Sequence, residues 1–153
     1  MREILFRGKR VENGEWVFGS YAFEPKRKGA FGQTISDLDH ERHYIVSKKN
    51  YEYWEVTPET VGDYTGLKDK NGRRIFEGDI VELHDRNYDI KWRAAVEFGN
   101  PNGNYSWGWQ LNPIEKADIN TEILCWVEME ESGAYCEVIG TIYDNPELLE
   151  VEE

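Results

Sequence analysis

Tyr64-Thr65-Gly66-Leu67-Lys68-Asp69-Lys70-Asn71-Gly72-Arg73-Arg74-Ile75-Phe76-Glu77-Gly78-Asp79-Ile80-Val81-Glu82-Leu83 is the stretch around which the chain is organised. It reads as two turns and the opening of a strand. Asn71-Gly72 is a dipeptide of tight hairpin turns, in which both central residues adopt positive φ. Gly78-Asp79 makes a second corner. Glycine permits the bend, and the Asp carboxylate accepts hydrogen bonds from nearby backbone N–H groups. Ile80, Val81 and Leu83 then carry strand character. The stretch specifies backbone geometry rather than chemistry.

The same residues carry a resemblance. Thr65-Gly66-Leu67-Lys68-Asp69-Lys70-Asn71-Gly72, followed by Ile75-Phe76-Glu77-Gly78-Asp79-Ile80-Val81, resembles the signature of the YopX family. The opening Arg2-Glu3-Ile4-Leu5-Phe6-Arg7 is similar to that family's start. The closing Val138-Ile139-Gly140-Thr141-Ile142-Tyr143-Asp144-Asn145-Pro146-Glu147-Leu148-Leu149 is similar to its end. The resemblance implies a small, mostly β protein of bacteriophages and prophages with an SH3-like barrel. It supplies no catalytic residues.

Composition narrows the classes. At 153 residues the chain suits one domain or two small ones. A domain of this size buries roughly 70% of its unfolded surface and needs neither metal nor disulfide to be stable. Six Trp and nine Tyr argue for a folded chain, and aromatic residues favour strands. A net charge of −12 repels phosphate backbones and acidic membranes, so direct nucleic-acid binding is not expected. The short basic clusters Lys26-Arg27-Lys28 and Arg73-Arg74 read as solvated loops. No apolar run is long enough for a membrane span, and the N-terminus lacks the apolar core of a signal peptide. A cytoplasmic placement follows as the expectation, with Cys125 and Cys136 reduced.

Along the chain, Arg2–Arg10 alternates as a strand. Asn13-Gly14 signals a hairpin into Glu15–Phe23, and Pro25 ends it. Phe31–Ile35, Tyr44–Val46 and Tyr51–Val56 read as short strands. Thr57-Pro58 suits the start of one helical turn. Beyond the organising stretch, Trp92–Phe98, Tyr105–Leu111, Ile123–Met129 and Tyr135–Tyr143 read as strands, and Pro146–Leu149 as a short terminal helix. The expected architecture is mostly β. It comprises an N-terminal β-hairpin lobe over 1–61 and a C-terminal lobe over 62–153, the latter a small SH3-like barrel.

Trp107-Gly108-Trp109 is the sharpest binding signal. Residues two apart on a strand point the same way, so both indoles share a face and Gly108 leaves the other open. Such a pair makes a stacking platform for a sugar, a base or a proline-rich peptide. Trp is also highly buried on average, and the weight lies with core. His40 and His43, with Asp37, Asp39 and Glu41 beside them, have H-x-x-H spacing but sit in a polar loop without a second ligand pair. His84 stands alone. Cys125 and Cys136 have no C-x-x-C spacing and read as small buried residues facing each other across two strands. Asp79 has no acid–base partner and reads as a backbone acceptor.

No catalytic residue, metal or cofactor is expected. The function expected is a phage- or prophage-encoded, non-enzymatic binding or assembly module, self-associating or engaging a host or phage protein. Two alternatives stand beside it. One is an acidic DNA-mimic inhibitor of a host DNA-binding protein, using Glu128, Glu130, Glu131, Glu137, Glu147, Glu150, Glu152 and Glu153. The other is a small metal-assisted hydrolase built on the segment from Asp37 to His43.

Overall fold

A computed structural model describes residues 2–26, 31, 40–103, 107–127 and 133–151. The chain divides into two compact units, Met1–Asp63 and Tyr64–Glu153. Strands dominate both, and every ladder is antiparallel.

The first unit holds β1 (Phe6–Lys9), β2 (Trp16–Glu24), β3 (Arg42–Val46) and β4 (Tyr53–Glu55). The order is β4-β3-β2-β1, and Gly62, at the start of the next strand, pairs with Arg7 on the free side of β1. Val17, Ile45 and Val56 form the core, with Phe6, Trp54 and Val61 packed against it. Pro58–Thr60 makes one 3₁₀ turn with proline in its first positions. Thr57 gives no side-chain cap; instead the Thr60 hydroxyl donates to the Thr57 carbonyl at 2.6 Å. The expected strand at Phe31–Ile35 falls largely outside the described residues.

The second unit continues β5 (Gly62–Lys68) into β6 (Arg74–Phe76). It then adds β7 (Asp79–Asp85), β8 (Ile90–Gly99), β9 (Gly108–Pro113), α1 (Leu124–Val127) and β10 (Ala134–Thr141), with a 3₁₀ turn at Pro146–Leu149. β7 to β10 form a sheet in the order β10-β7-β8-β9. Among the described residues β9 and β10 are its outer strands and do not pair with each other, so backbone pairing does not close a barrel. Strand alternation sends Val81, Leu83, Ala94, Val96, Leu111, Cys136 and Val138 into one core, joined by Ile75, Ile123 and Trp126. Each fully buried aliphatic side chain there contributes about 1.5–3 kcal/mol.

The organising stretch makes its two corners, but the first is not the turn expected. Gly72 has φ +78°, whereas Asn71 keeps negative φ. Gly72 N–H donates to the Asp69 carbonyl at 3.0 Å, and Asp69 N–H to the Arg73 carbonyl at 2.8 Å. This is a three-residue loop with its glycine in the left-handed position, not a two-residue turn. Asp69 decides the outcome. Its Oδ1 accepts from Asn71 N–H and Arg73 N–H, each at 2.9 Å. Its Oδ2 accepts from Val138 N–H at 2.9 Å, tying the hairpin to β10. At the second corner Gly78 has φ +86°. Asp79, buried, accepts from Phe76 N–H at 2.8 Å, the backbone role read from the sequence.

The described part of the expected strand Ile123–Met129 is not extended. Leu124–Val127 is a short helix, and residues 128–132 lie outside the described ones. Ile123 and Trp126, three apart, are buried while Leu124 is exposed, which is helical rather than alternating burial. The Trp126 indole N–H donates to the Asn120 carbonyl at 2.8 Å and fixes the turn. Cys125 and Cys136 therefore do not face each other across two strands. Both are free thiols, one on the helix and one on β10. Burial, with the charges of Asp69 and Glu137 adding to it, pushes the Cys136 thiol up to about 12.

Candidate functional site

The β8–β9 hairpin carries the aromatic site. Trp92, Ala94, Val96 and Phe98 lie on one face of β8. The first three pack on the core, while Phe98 runs past its end and is 57% exposed. Phe98 is directly opposite Trp109. The Phe98 ring stands edge-on to Trp109 at 5.0 Å and to Trp107 at 6.5 Å. The hairpin narrows at a Gly99–Gly108 pair. A side chain at Gly99 would meet the Trp107 ring at about 3.9 Å. Gly108 has open space where a side chain would be, as the sequence suggested.

Trp107 and Trp109 line one cavity of about 410 Å³ with Thr65, Leu67, Gln110, Glu122, Ile123 and Leu124. The two indoles differ. Trp107 is 75% exposed, so the core reading does not hold for it, whereas Trp109 is half-buried against the core. Leu124, 49% exposed, supplies an aliphatic wall from α1. The polar groups are few and mostly engaged. Buried Gln110 accepts from the Thr121 hydroxyl at 3.1 Å, and the Thr65 hydroxyl donates to the Ile75 carbonyl at 2.8 Å. Glu122 is the charged member of the lining. The cleft thus offers two indole rings, aliphatic walls and one carboxylate.

A family model described as YopX protein matches residues 5–150. The chain belongs to the YopX family. It is also similar to the crystal structure of protein EF1440 from Enterococcus faecalis. The two share 22% identity over 98% of this chain and 100% of that one, with a TM-score of 0.47. No curated protein matches.

Among the described residues of this YopX-family chain, the sequence candidates His40 and His43 form no metal-ligating group. His43 lies on β3, where its Nδ1 is 2.6 Å from the Tyr21 hydroxyl and its ring packs on Tyr21 and Phe23. His40 is exposed outside the strand, and Asp37 and Asp39 lie outside the described residues. The H-x-x-H spacing marks a strand entrance, with His43 held by aromatic neighbours. Of the acidic closing residues, 128, 130, 131, 152 and 153 lie outside the described ones. No helix among the described residues is long and apolar enough to cross a membrane.

Sequence reasoning missed Glu82, His84 and Glu137, whose ligand atoms all lie within 4.8 Å of one another. The signal was the alternation of Glu82 and His84 on β7, but their third member comes from β10. Only the strand register brings it near.

Proposed function

We propose that this chain is a non-enzymatic binding module of phage or prophage origin. Its Trp107–Trp109 cleft receives an extended, apolar segment of a protein partner. The observation that carries the reading is Trp107, a large indole held out in solvent beside a second indole and an aliphatic wall. Exposed indoles are the usual anchors of protein interfaces. Glu122 at the rim adds a preference for a basic residue next to the apolar anchor. The sparse, engaged polar lining favours a peptide over a sugar, and the net charge of −12 disfavours nucleic acid. The partner is a host or phage protein, or a second copy of this chain. The family resemblance supports an SH3-like reading of the second unit.

A peptide-display selection tests the proposal. Wild-type chain should enrich sequences with an aromatic, proline or aliphatic anchor beside Arg or Lys. The Trp107→Ala chain should not enrich them. Equal enrichment on both chains refutes the cleft as the binding face.

A further inference from the structure

The opposite face of the four-stranded sheet carries a cluster that the aromatic cleft does not use. Alternation along β7 turns Val81 and Leu83 to the core and Glu82 and His84 away from it. On β10, Cys136 and Val138 point to the core, and Tyr135 and Glu137 away. The register sets Glu137 directly opposite Glu82, and Tyr135 opposite His84. Two carboxylates facing each other across neighbouring strands destabilise the pairing unless positive charge joins them.

His84 stands where that charge would be. Its Nε2 is 2.8 Å from Glu82 Oε1 and 4.0 Å from Glu137 Oε2. His84 is 9% exposed, yet Nε2 forms no hydrogen bond. The short approach to Glu82 therefore lies off the line a ring N–H requires. The ring is held by parallel stacking on Tyr135, with centroids 4.6 Å apart and planes 5° apart. Two cationic residues on β8 lie across from this pair, Arg93 opposite Glu82 and Lys91 opposite His84. Arg93 turns to Glu115 at 3.4 Å and the Glu150 carbonyl at 2.9 Å; Lys91 is exposed.

We propose that Glu82, His84 and Glu137 bind one divalent transition-metal ion of the zinc type. Bonds of about 2.1 Å place ligand atoms about 3.0 Å apart at right angles and about 3.4 Å apart in a tetrahedron. The observed 2.8 and 4.0 Å bracket those separations, so small side-chain rotations complete the set. One imidazole with two carboxylates suits zinc and its neighbours, whereas calcium takes six to eight oxygens. Both glutamates are partly exposed, which leaves a way in and room for water as further ligands. The ion would join β7 to β10 and add to the stability of that pairing.

Calorimetric titration of the full chain with Zn²⁺, and absorption spectroscopy with Co²⁺ as the coloured probe, test the site. The expected result is one saturable site per chain, with Zn²⁺ displacing Co²⁺ and raising the melting temperature. His84→Ala and Glu137→Gln should each weaken binding by at least about 100-fold, the upper end of what losing an outer-shell partner costs, while His40→Ala and His43→Ala leave it unchanged. Glu82→Gln and Glu137→Gln, both at partly exposed positions, carry the test if His84→Ala fails to fold. No saturable binding, binding unaffected by the glutamate variants, or binding removed by His43→Ala would each overturn the proposal.

Discussion

Asp69→Ala should unfold the second unit at markedly lower denaturant than wild type. The carboxylate accepts three backbone N–H groups, each at 2.9 Å. A hydrogen bond to a charged group contributes about 1.5–3 kcal/mol. Asn71 and Arg73 are exposed, so water replaces much of what their N–H groups lose, at roughly 0.5–1 kcal/mol each. Val138 is buried in β10, and its N–H would be orphaned at about 1–3 kcal/mol. The sum is about 2–5 kcal/mol, a large part of the usual 5–15 kcal/mol of a domain. In urea, with a slope of about 2 kcal/mol per molar, the midpoint should fall by about 1–2.5 M. Asp69→Asn retains one acceptor oxygen but turns an amide toward one of the donors, so its loss should be smaller, about half that of Asp69→Ala. A shift under about 1 kcal/mol for Asp69→Ala, or a larger loss for Asp69→Asn than for Asp69→Ala, would refute this account of the hairpin.

Three further residues, Gly78, Trp107 and Cys136, carry measurable outcomes. Gly78→Ala should cost about 1–2 kcal/mol for its left-handed backbone, and more because the new methyl would sit 2.9 Å from the Tyr143 ring; chemical denaturation measures it. Trp107→Ala should leave the unfolding free energy within about 0.5 kcal/mol of wild type in urea, because the indole is exposed. It should nevertheless weaken peptide binding by at least about 2 kcal/mol, roughly 30-fold, by calorimetry. Cys136, 1% exposed and with its thiol pushed up to about 12, should resist a thiol reagent at pH 8 in the native chain and react once the chain is unfolded. Because the folded thiol titrates above its ordinary value near 9, its linkage leaves stability unchanged below that pH. Stability should fall as pH rises from about 9 toward 12, as a pH series of urea midpoints would show.

The parts of the fold legible in the sequence are those set by local rules. Alternation located β2, β7, β8 and β10, and glycines placed both corners of the organising stretch. Turn type was not legible, because Asp69 selects it by accepting N–H groups of the loop. The run Ile123–Met129 reads as a strand, because an apolar run this short does not declare its period. Burial of Ile123 and Trp126 on one side, together with the indole bond to Asn120, decided for helix. The Trp107–Trp109 pair was visible, but not that Trp107 lies beyond the end of the core. Phe98 and Leu124 join that pair only through strand pairing and the α1 turn. His84 looked solitary because Glu137, which completes its cluster with Glu82, is supplied by the register of β10 on β7.

The claim that the aromatic cleft is the binding face is tested most directly by the indole N–H signals in ¹H–¹⁵N correlation spectra. They are followed during titration with a selected basic-apolar peptide, and in a dilution series without peptide. The account predicts saturable shifts of Trp107 and Trp109, with backbone shifts at Leu124 and Glu122, in the peptide titration. If the occupant is a second copy of the chain, the same signals move with chain concentration. Shifts confined to Trp16, Trp54 or Trp92, with Trp107 unmoved at every peptide and chain concentration, would contradict it.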